Sequence, residues 1–407
     1  MKNEMSIELN LVALSFVLLF VSRGKAQSTD GVFDVTKYGA KPGTDISQAL
    51  LKAWKEACAS TTQSKVIIPK ASYQLTGVDL VGPCKSPIGI EFQGTLQAPI
   101  DPTGEGWVNF KYIDHFSLTG GGVFDGQGKL AWEKNDCGQN PNCAQFPMSL
   151  KFSFITNSIV SEITSKDSKN FHVFVLGCNN LTFEHVTIDA PGHSINTDGI
   201  HIGRSNEVNV LSTRIGTGDD CISLGDGSKH VTINNVTCGP GHGISVGSLG
   251  RYTVEEPVEG IIVKNCTFTN TDNGVRIKTW PASPTPGTAT NMHYEDIIMV
   301  NVSNPILIDQ EYCPYNQCNK KIPSKVKISK VSFKNIRGSS ANALAVKIIC
   351  SSDFPCEGVE IADIDLTYNG SEGPITSQCS NVKPIISGKQ NPPACSSVAP
   401  IASPPTA

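Results

Sequence analysis

Seven eight-residue segments constrain this chain more than any other feature. They read "LTFEHVTI" from 181, "VNVLSTRI" from 208, "VTINNVTC" from 231, "IIVKNCTF" from 261, "MHYEDIIM" from 292, "VKISKVSF" from 326 and "VEIADIDL" from 359. Each follows apolar-x-apolar-x-x-apolar-x-apolar, with Thr213 at an apolar position of the second. Successive starts lie 27, 23, 30, 31, 34 and 33 residues apart. Alternation with period two means strand, and the two-residue break means a bend between two short strands. Recurrence at this spacing marks a repeat architecture. The fold class predicted is all-β: one right-handed parallel β-helix, each coil stacking on the last and burying its apolar positions. A β-sandwich would not need coils so alike.

One good helix stands out. In "TDISQALLKAWKEACA", Ile46, Ala49, Leu50, Ala53, Trp54, Ala57 and Cys58 share a face. Asp45 and Gln48 give a start like a capping box. Its place near the N-terminus predicts a cap over the open end of the solenoid, which terminal units of a repeat stack require.

The chain ends divide from this body. Leu11 to Val21 is apolar except for Ser15, with Lys2 before it and Gly24 and Ala26 after. The run is short of the roughly 20 residues of a membrane span. It reads as a secretory signal over residues 1–26. The solenoid is expected over 27–395, and a disordered Pro-, Ser- and Ala-rich tail over 396–407. Removing the signal deletes Lys2, Arg23, Lys25, Glu4 and Glu8, so the formal charge moves from −4 to −5.

Secretion makes the 14 cysteines candidates for disulfides. Close pairs are Cys58 with Cys84, Cys137 with Cys143, Cys221 with Cys238, Cys313 with Cys318, Cys350 with Cys356 and Cys379 with Cys395. Spacing alone does not fix connectivity. Cys178 and Cys266 sit in apolar strand-like runs and are expected as buried free thiols. Paired C-x-x-C motifs are absent, which argues against a zinc site. Glycosylation sequons at Asn180, Asn235, Asn265, Asn301 and Asn369 fit a secreted protein.

A second series of short strands carries the chemistry: "DGIHI" (198–202), "DCISL" (220–224), "HGISV" (242–246) and "NGVRI" (273–277). Aligning their apolar cores puts Asp198, Asp220, His242 and Asn273 in one column, and His201, Ser223, Ser245 and Arg276 in an outward-facing second. Stacked strands lie about 4.8 Å apart, so Asp198 and Asp220 come close, with Asp219 beside them and Arg276 and Lys278 on the same groove. Turn chemistry accounts for one Asp-Asp pair. It does not account for a third Asp, a His and two cations in register. Crowded carboxylates separate in pKa, leaving one as an acid and another as a base. That suits glycosidic hydrolysis; a solvated acidic ladder or a calcium site is the plainer alternative.

The motifs "NTDG" (196–199), "GDDC" (218–221), "GHGISVGS" (241–248) and "RIK" (276–278) resemble, in order, those of the polygalacturonases of glycoside hydrolase family 28. The strings "GTGDDCISLGDG" and "CGPGHGISVGSLGRY" look most like the plant pollen exopolygalacturonases. The resemblance implies hydrolysis of de-esterified pectin with inversion, releasing galacturonate from the non-reducing end. It implies pollen origin and allergenicity too. Carried onto this chain, Asp219 is the general acid, and Asp198 and Asp220 activate water. His242 tunes the acid, and Arg276 and Lys278 bind a galacturonate carboxylate. Tyr312 matches a site tyrosine, and Asn196 orients the sugar or the neighbouring Asp.

The expected partner is therefore polygalacturonate, bound by a secreted, cell-wall monomer with no cofactor and no metal. The acidic chain would repel a polyanion overall, which gives the local cations their purpose. No basic stripe suggests nucleic acid, and no later stretch suits a membrane. "GGG" at 120–122 lacks the Lys and helix of a phosphate loop and reads as a coil corner. Endo cleavage at the same site, a calcium-dependent pectate lyase and a non-catalytic pectin-binding wall protein are the competing readings.

Overall fold

The computed structural model describes residues 31–395 except 102–103, 138–139, 141–142, 144 and 317. The expected signal segment and tail lie outside the described residues. Strands dominate. Eleven of them, from Val78–Val81 to Thr376–Ser380, stack in chain order into one parallel sheet. The others form a second, bent parallel sheet that closes the coils. This is the predicted all-β solenoid.

The repeated segments stack as read. Leu181 pairs with Val208, Val231 with Ile261 and Ile261 with Met292. Their fifth residue makes the bend: His185, Ser212, Asn235, Asn265, Asp296 and Asp363 all have φ between 48° and 57°. This left-handed conformation is the one Asn and Asp tolerate best among residues with a side chain. Four sequon asparagines, Asn180, Asn235, Asn265 and Asn301, are left-handed and donate Nδ2 to the coil before.

One segment is phased differently from the sequence reading. Met292 pairs with Val331, not Val326, and Val331 pairs with Val359. The repeat is thus "VSFKNIRG" from 331, with Asn335 as its left-handed bend at φ 51°. The 15-residue Val326–Ser340 strand has two left-handed breaks in its alternation, Lys330 at φ 53° and Asn335 at φ 51°. The pattern therefore fits in two phases, each with a left-handed fifth residue, and the strand pairing decides between them.

Inside the coils, apolar positions meet in columns. Phe110 stacks on Phe152 at 4.9 Å and Tyr294 on Phe333 at 5.1 Å between ring centroids. Fully burying a side chain of this kind contributes roughly 1.5–3 kcal/mol. The Ser47–Cys58 helix buries Ala49, Leu50, Ala53, Trp54 and Ala57 against the first coil, and Trp54 Nε1 donates to the Val81 carbonyl. Its start differs from a capping box: Asp45 accepts from the Ser47 amide and hydroxyl and from Thr76 Oγ1, which takes the place of Gln48. A second helix, Lys129–Lys134, was not anticipated; six residues are too few for a periodic signal. All six expected disulfides are present, and Cys178 and Cys266 are free and buried.

Candidate active site

Three parallel pairings build the site on the eleven-stranded sheet. Ile200 pairs with Ile222, Ile222 with Ile244, and Ile244 with Val275. The two sequence columns therefore stand in register as aligned, with His201, Ser223, Ser245 and Arg276 adjacent in turn. The turns entering these strands carry the carboxylates. Gly218 is required there, because a Cβ would sit 2.0 Å from the Ser194 carbonyl. Gly243, at φ 88°, would bring one 2.1 Å from the Asn273 carbonyl. The Cys221–Cys238 disulfide ties the carboxylate turn to the coil that follows.

The three aspartates occupy different environments. Asp220 is buried and saturated with donors: Ser245 Oγ at 2.8 Å, Arg276 Nη2 at 2.7 Å and Lys278 Nζ at 2.7 Å. Burial pushes its carboxyl up, but Lys278 and Arg276 prevail and hold it down to about 2. Asp198 is also buried, and its Oδ2 accepts from Ser223 Oγ at 2.7 Å. Burial first, then the charges of Asp219 and Asp220, pushes it well above the usual carboxylate range. Asp219 is the accessible one, its side chain 22% exposed. Its Oδ1 accepts from the Asp220 amide at 2.7 Å and from His242 Nδ1 at 3.1 Å.

His242 bridges Asp219 to Asp272, whose Oδ2 lies 3.3 Å from Nε2. Burial pushes its imidazole down, yet the bond to Asp219 leads a stronger pull upward, so the net shift is a rise. Asn273 holds the His242 carbonyl at 3.1 Å. Sequence reasoning missed Asp272, an exposed acid one residue outside the aligned strand. It placed Ser223 and Ser245 correctly but gave them no role. Ser223 receives a bond from His201 Nδ1 at 2.8 Å and donates to Asp198, so a chain of two hydrogen bonds ends on that carboxyl. The His201 ring stacks 5.3 Å from both Phe171 and Phe174, and burial lowers it to about 4, which keeps it neutral.

The remaining expected residues fall around this cluster. Arg276 and Lys278 are brought to the site but are paired with Asp220, their side chains 11% and 9% exposed. Tyr312 joins them: Lys278 Nζ lies 5.3 Å from its ring centroid, and Trp280 meets it edge-on at 5.8 Å. Asn196 faces a cavity of about 590 Å³ beside the cluster, where Asn135 Nδ2 reaches its Oδ1 at 3.5 Å.

Two chemistries fit clustered acids, and the contacts separate them. One ligand atom each from Asp219, Asp220 and His242 lies within 4.8 Å of the others, a spacing that could hold a cation. A divalent ion there would share Asp220 with two cations already at 2.7 Å. The donor set disfavours it and favours proton transfer. The same 4.8 Å puts Asp219 and Asp220 closer than the roughly 6.5–9.5 Å usual for an inverting acid and base.

Comparison with known proteins agrees with this geometry. Residues 58–395 match the family described as Glycosyl hydrolases family 28. The chain is 61% identical over 356 residues to an exopolygalacturonase of Oenothera organensis, covering 86% of this chain and 98% of that protein. It is 56% identical over 387 residues to a polygalacturonase of Medicago sativa, covering 93% and 90%. The fold is that of the endo-xylogalacturonan hydrolase of Aspergillus tubingensis, with TM-score 0.74 at 23% identity over 87% of this chain and all of that one. A solenoid carrying three unlike carboxylates on one face, with this match across nearly its whole described length, belongs to glycoside hydrolase family 28.

Proposed function

We propose that the protein is an exopolygalacturonase, hydrolysing α-1,4 galacturonosyl linkages of de-esterified pectin and releasing galacturonate from the non-reducing end. The observation that carries the reading is the division of labour among the carboxylates. Asp220 is ionised between two cations, Asp198 is buried with its carboxyl pushed up by burial and by the neighbouring acids, and Asp219 alone of the three has an accessible face. Asp219 protonates the leaving oxygen, with His242 holding its other oxygen. Asp220, and Asp198 in its ionised form, activate the water that attacks the anomeric carbon from the opposite side, which inverts the centre at a carboxylate separation shorter than the usual inverting one. Arg276 and Lys278 attract the galacturonate carboxylate while keeping Asp220 charged. Tyr312 and Asn196 line its path.

A second assignment has its own support. The raised Asp198 carboxyl makes it an alternative proton donor, because coupled groups share protons and their pH limbs belong to the group. The names of the relatives and the six disulfides favour an extracellular polygalacturonase. We place it in the plant cell wall as a secreted monomer, released from the signal at residues 1–26.

Time-resolved proton NMR of a polygalacturonate digest tests the activity. Saturated monogalacturonate appearing first, as the β-anomer, is the expected result. Oligomers first would mean endo cleavage, α-anomer first would mean retention, and unsaturated products would mean a lyase.

A further inference from the structure

The cation balance of the site is incomplete for a polyanionic ligand. Arg276 and Lys278 are both committed to Asp220 at 2.7 Å, and Asp219 and Asp198 add further acid beside them. A second uronate carboxylate next to the cleaved bond needs a cation that is not already paired. Among the described residues, Arg251 supplies one. It lines the cavity of about 590 Å³ together with Asn196 and Phe171, and forms no ion pair there. Its guanidinium lies 5.0 Å over the Trp280 ring and 5.6 Å over Tyr252. Such stacking fixes a planar guanidinium and leaves its N–H edge free for a bidentate carboxylate.

The loop beneath it is fixed as well. The amides of Gly250, Arg251 and Tyr252 all donate to the Glu255 carboxylate, at 2.6, 2.9 and 2.9 Å. Glu255 is thereby occupied by backbone and not by the Arg251 guanidinium. The cavity also adjoins the catalytic cluster on two sides. Phe171 stacks on His201, and Trp280 meets Tyr312, which lies under Lys278.

We propose that Arg251, held on Trp280, binds the carboxylate of a galacturonosyl residue in this cavity and so selects free acid over methyl ester next to the cleaved bond. The inference rests on the polygalacturonase reading. A methyl ester has no charge and one fewer acceptor for the fork, so the cavity discriminates against it.

Calorimetric titration with trigalacturonate and with its methyl ester tests this, in an Asp219→Asn background that prevents turnover. Arg251→Gln added to that background should weaken trigalacturonate binding about 10–100-fold, as loss of a charged bidentate contact does, and leave the ester nearly unchanged. Arg251→Lys should recover part of the loss. Equal affinity with and without Arg251→Gln, or an equal loss on acid and ester, would overturn the proposal. Turnover of trigalacturonate by the wild type is read separately. Failure there with Arg251-dependent binding intact would sink the hydrolase reading and leave the carboxylate site standing.

Discussion

Two polar columns run along this solenoid, and they behave oppositely. At the bend, His185, Ser212, Asn235, Asn265, Asp296, Asn335 and Asp363 follow one another coil by coil, each left-handed. On the groove face, Asp198, Asp220 and His242 do the same. The bend column uses whichever residue tolerates a positive φ, and its asparagines donate at the surface to Ser212, Asn234 and Asp296 of the preceding coils. The groove column concentrates charge where water is scarce, and each member depends on a partner from another coil. Stacking gives both columns their alignment. Only the second converts alignment into shifted protonation, because burial and like charge act together there.

The sharpest test of that difference is Asp219→Asn. Loss of an acid–base group should lower turnover by about 10²–10⁴-fold. Because Asp219 is partly exposed, the melting temperature should hardly move.

Asp220→Asn should cost activity and stability together. It leaves Arg276 and Lys278 without their buried counter-charge, and breaking such a pair costs about 3–5 kcal/mol. Its carboxyl is lowered in the fold, so this stability is present above the unfolded value of about 4 and fades as pH falls toward 2. Urea unfolding of the variant and wild type across that range measures it. A constant difference between the two at all pH values would contradict the pairing.

Removing the Cys221–Cys238 bridge by a double Ala substitution should cost about 3 kcal/mol. It should also reduce turnover, since Asp220 precedes Cys221. At the bend, Asn335→Val forces a β-branched residue into the left-handed region and should cost roughly 1–2 kcal/mol, with turnover per folded molecule unchanged. A loss of turnover there would erase the distinction between the columns.

Ser223→Ala should give the smallest effect and the most specific. The Ser223 hydroxyl favours ionised Asp198, so its loss raises that carboxyl further. The acidic limb of the pH–rate profile, where the base must lose its proton, should then move up by about one unit, as expected for one hydrogen bond to a charged group. The groups facing Asp198 are Asp219, Asp220 and Lys278, so the limb reports the cluster and not one residue.

Much of this was legible in the sequence because a solenoid's long-range contacts are set by a local period. The aligned strand cores put Asp198, Asp220 and His242 in register without any structure. Legibility failed where the period was ambiguous or side-chain direction mattered. Val326 and Val331 both begin an acceptable alternation with a left-handed fifth residue, and only the strand pairing breaks the tie. Arg276 and Lys278 were read as ligands for substrate. That both converge on one oxygen pair of Asp220 depends on rotamers reaching back over one or two coils, which spacing does not encode. Arg251 has no repeat partner at all, and only the folded loop brings it over Trp280.

The roles within the groove column can be separated by one measurement. An α-galacturonosyl fluoride needs no protonation of its leaving group, so it bypasses the acid but not the base. Turnover of this substrate, relative to polygalacturonate, is compared among Asp198→Asn, Asp219→Asn and Asp220→Asn. Asp219→Asn alone should recover much of its lost rate, while the other two stay low. Recovery by Asp198→Asn in its place, or equal recovery by all three, would contradict the assignment of Asp219 as the acid.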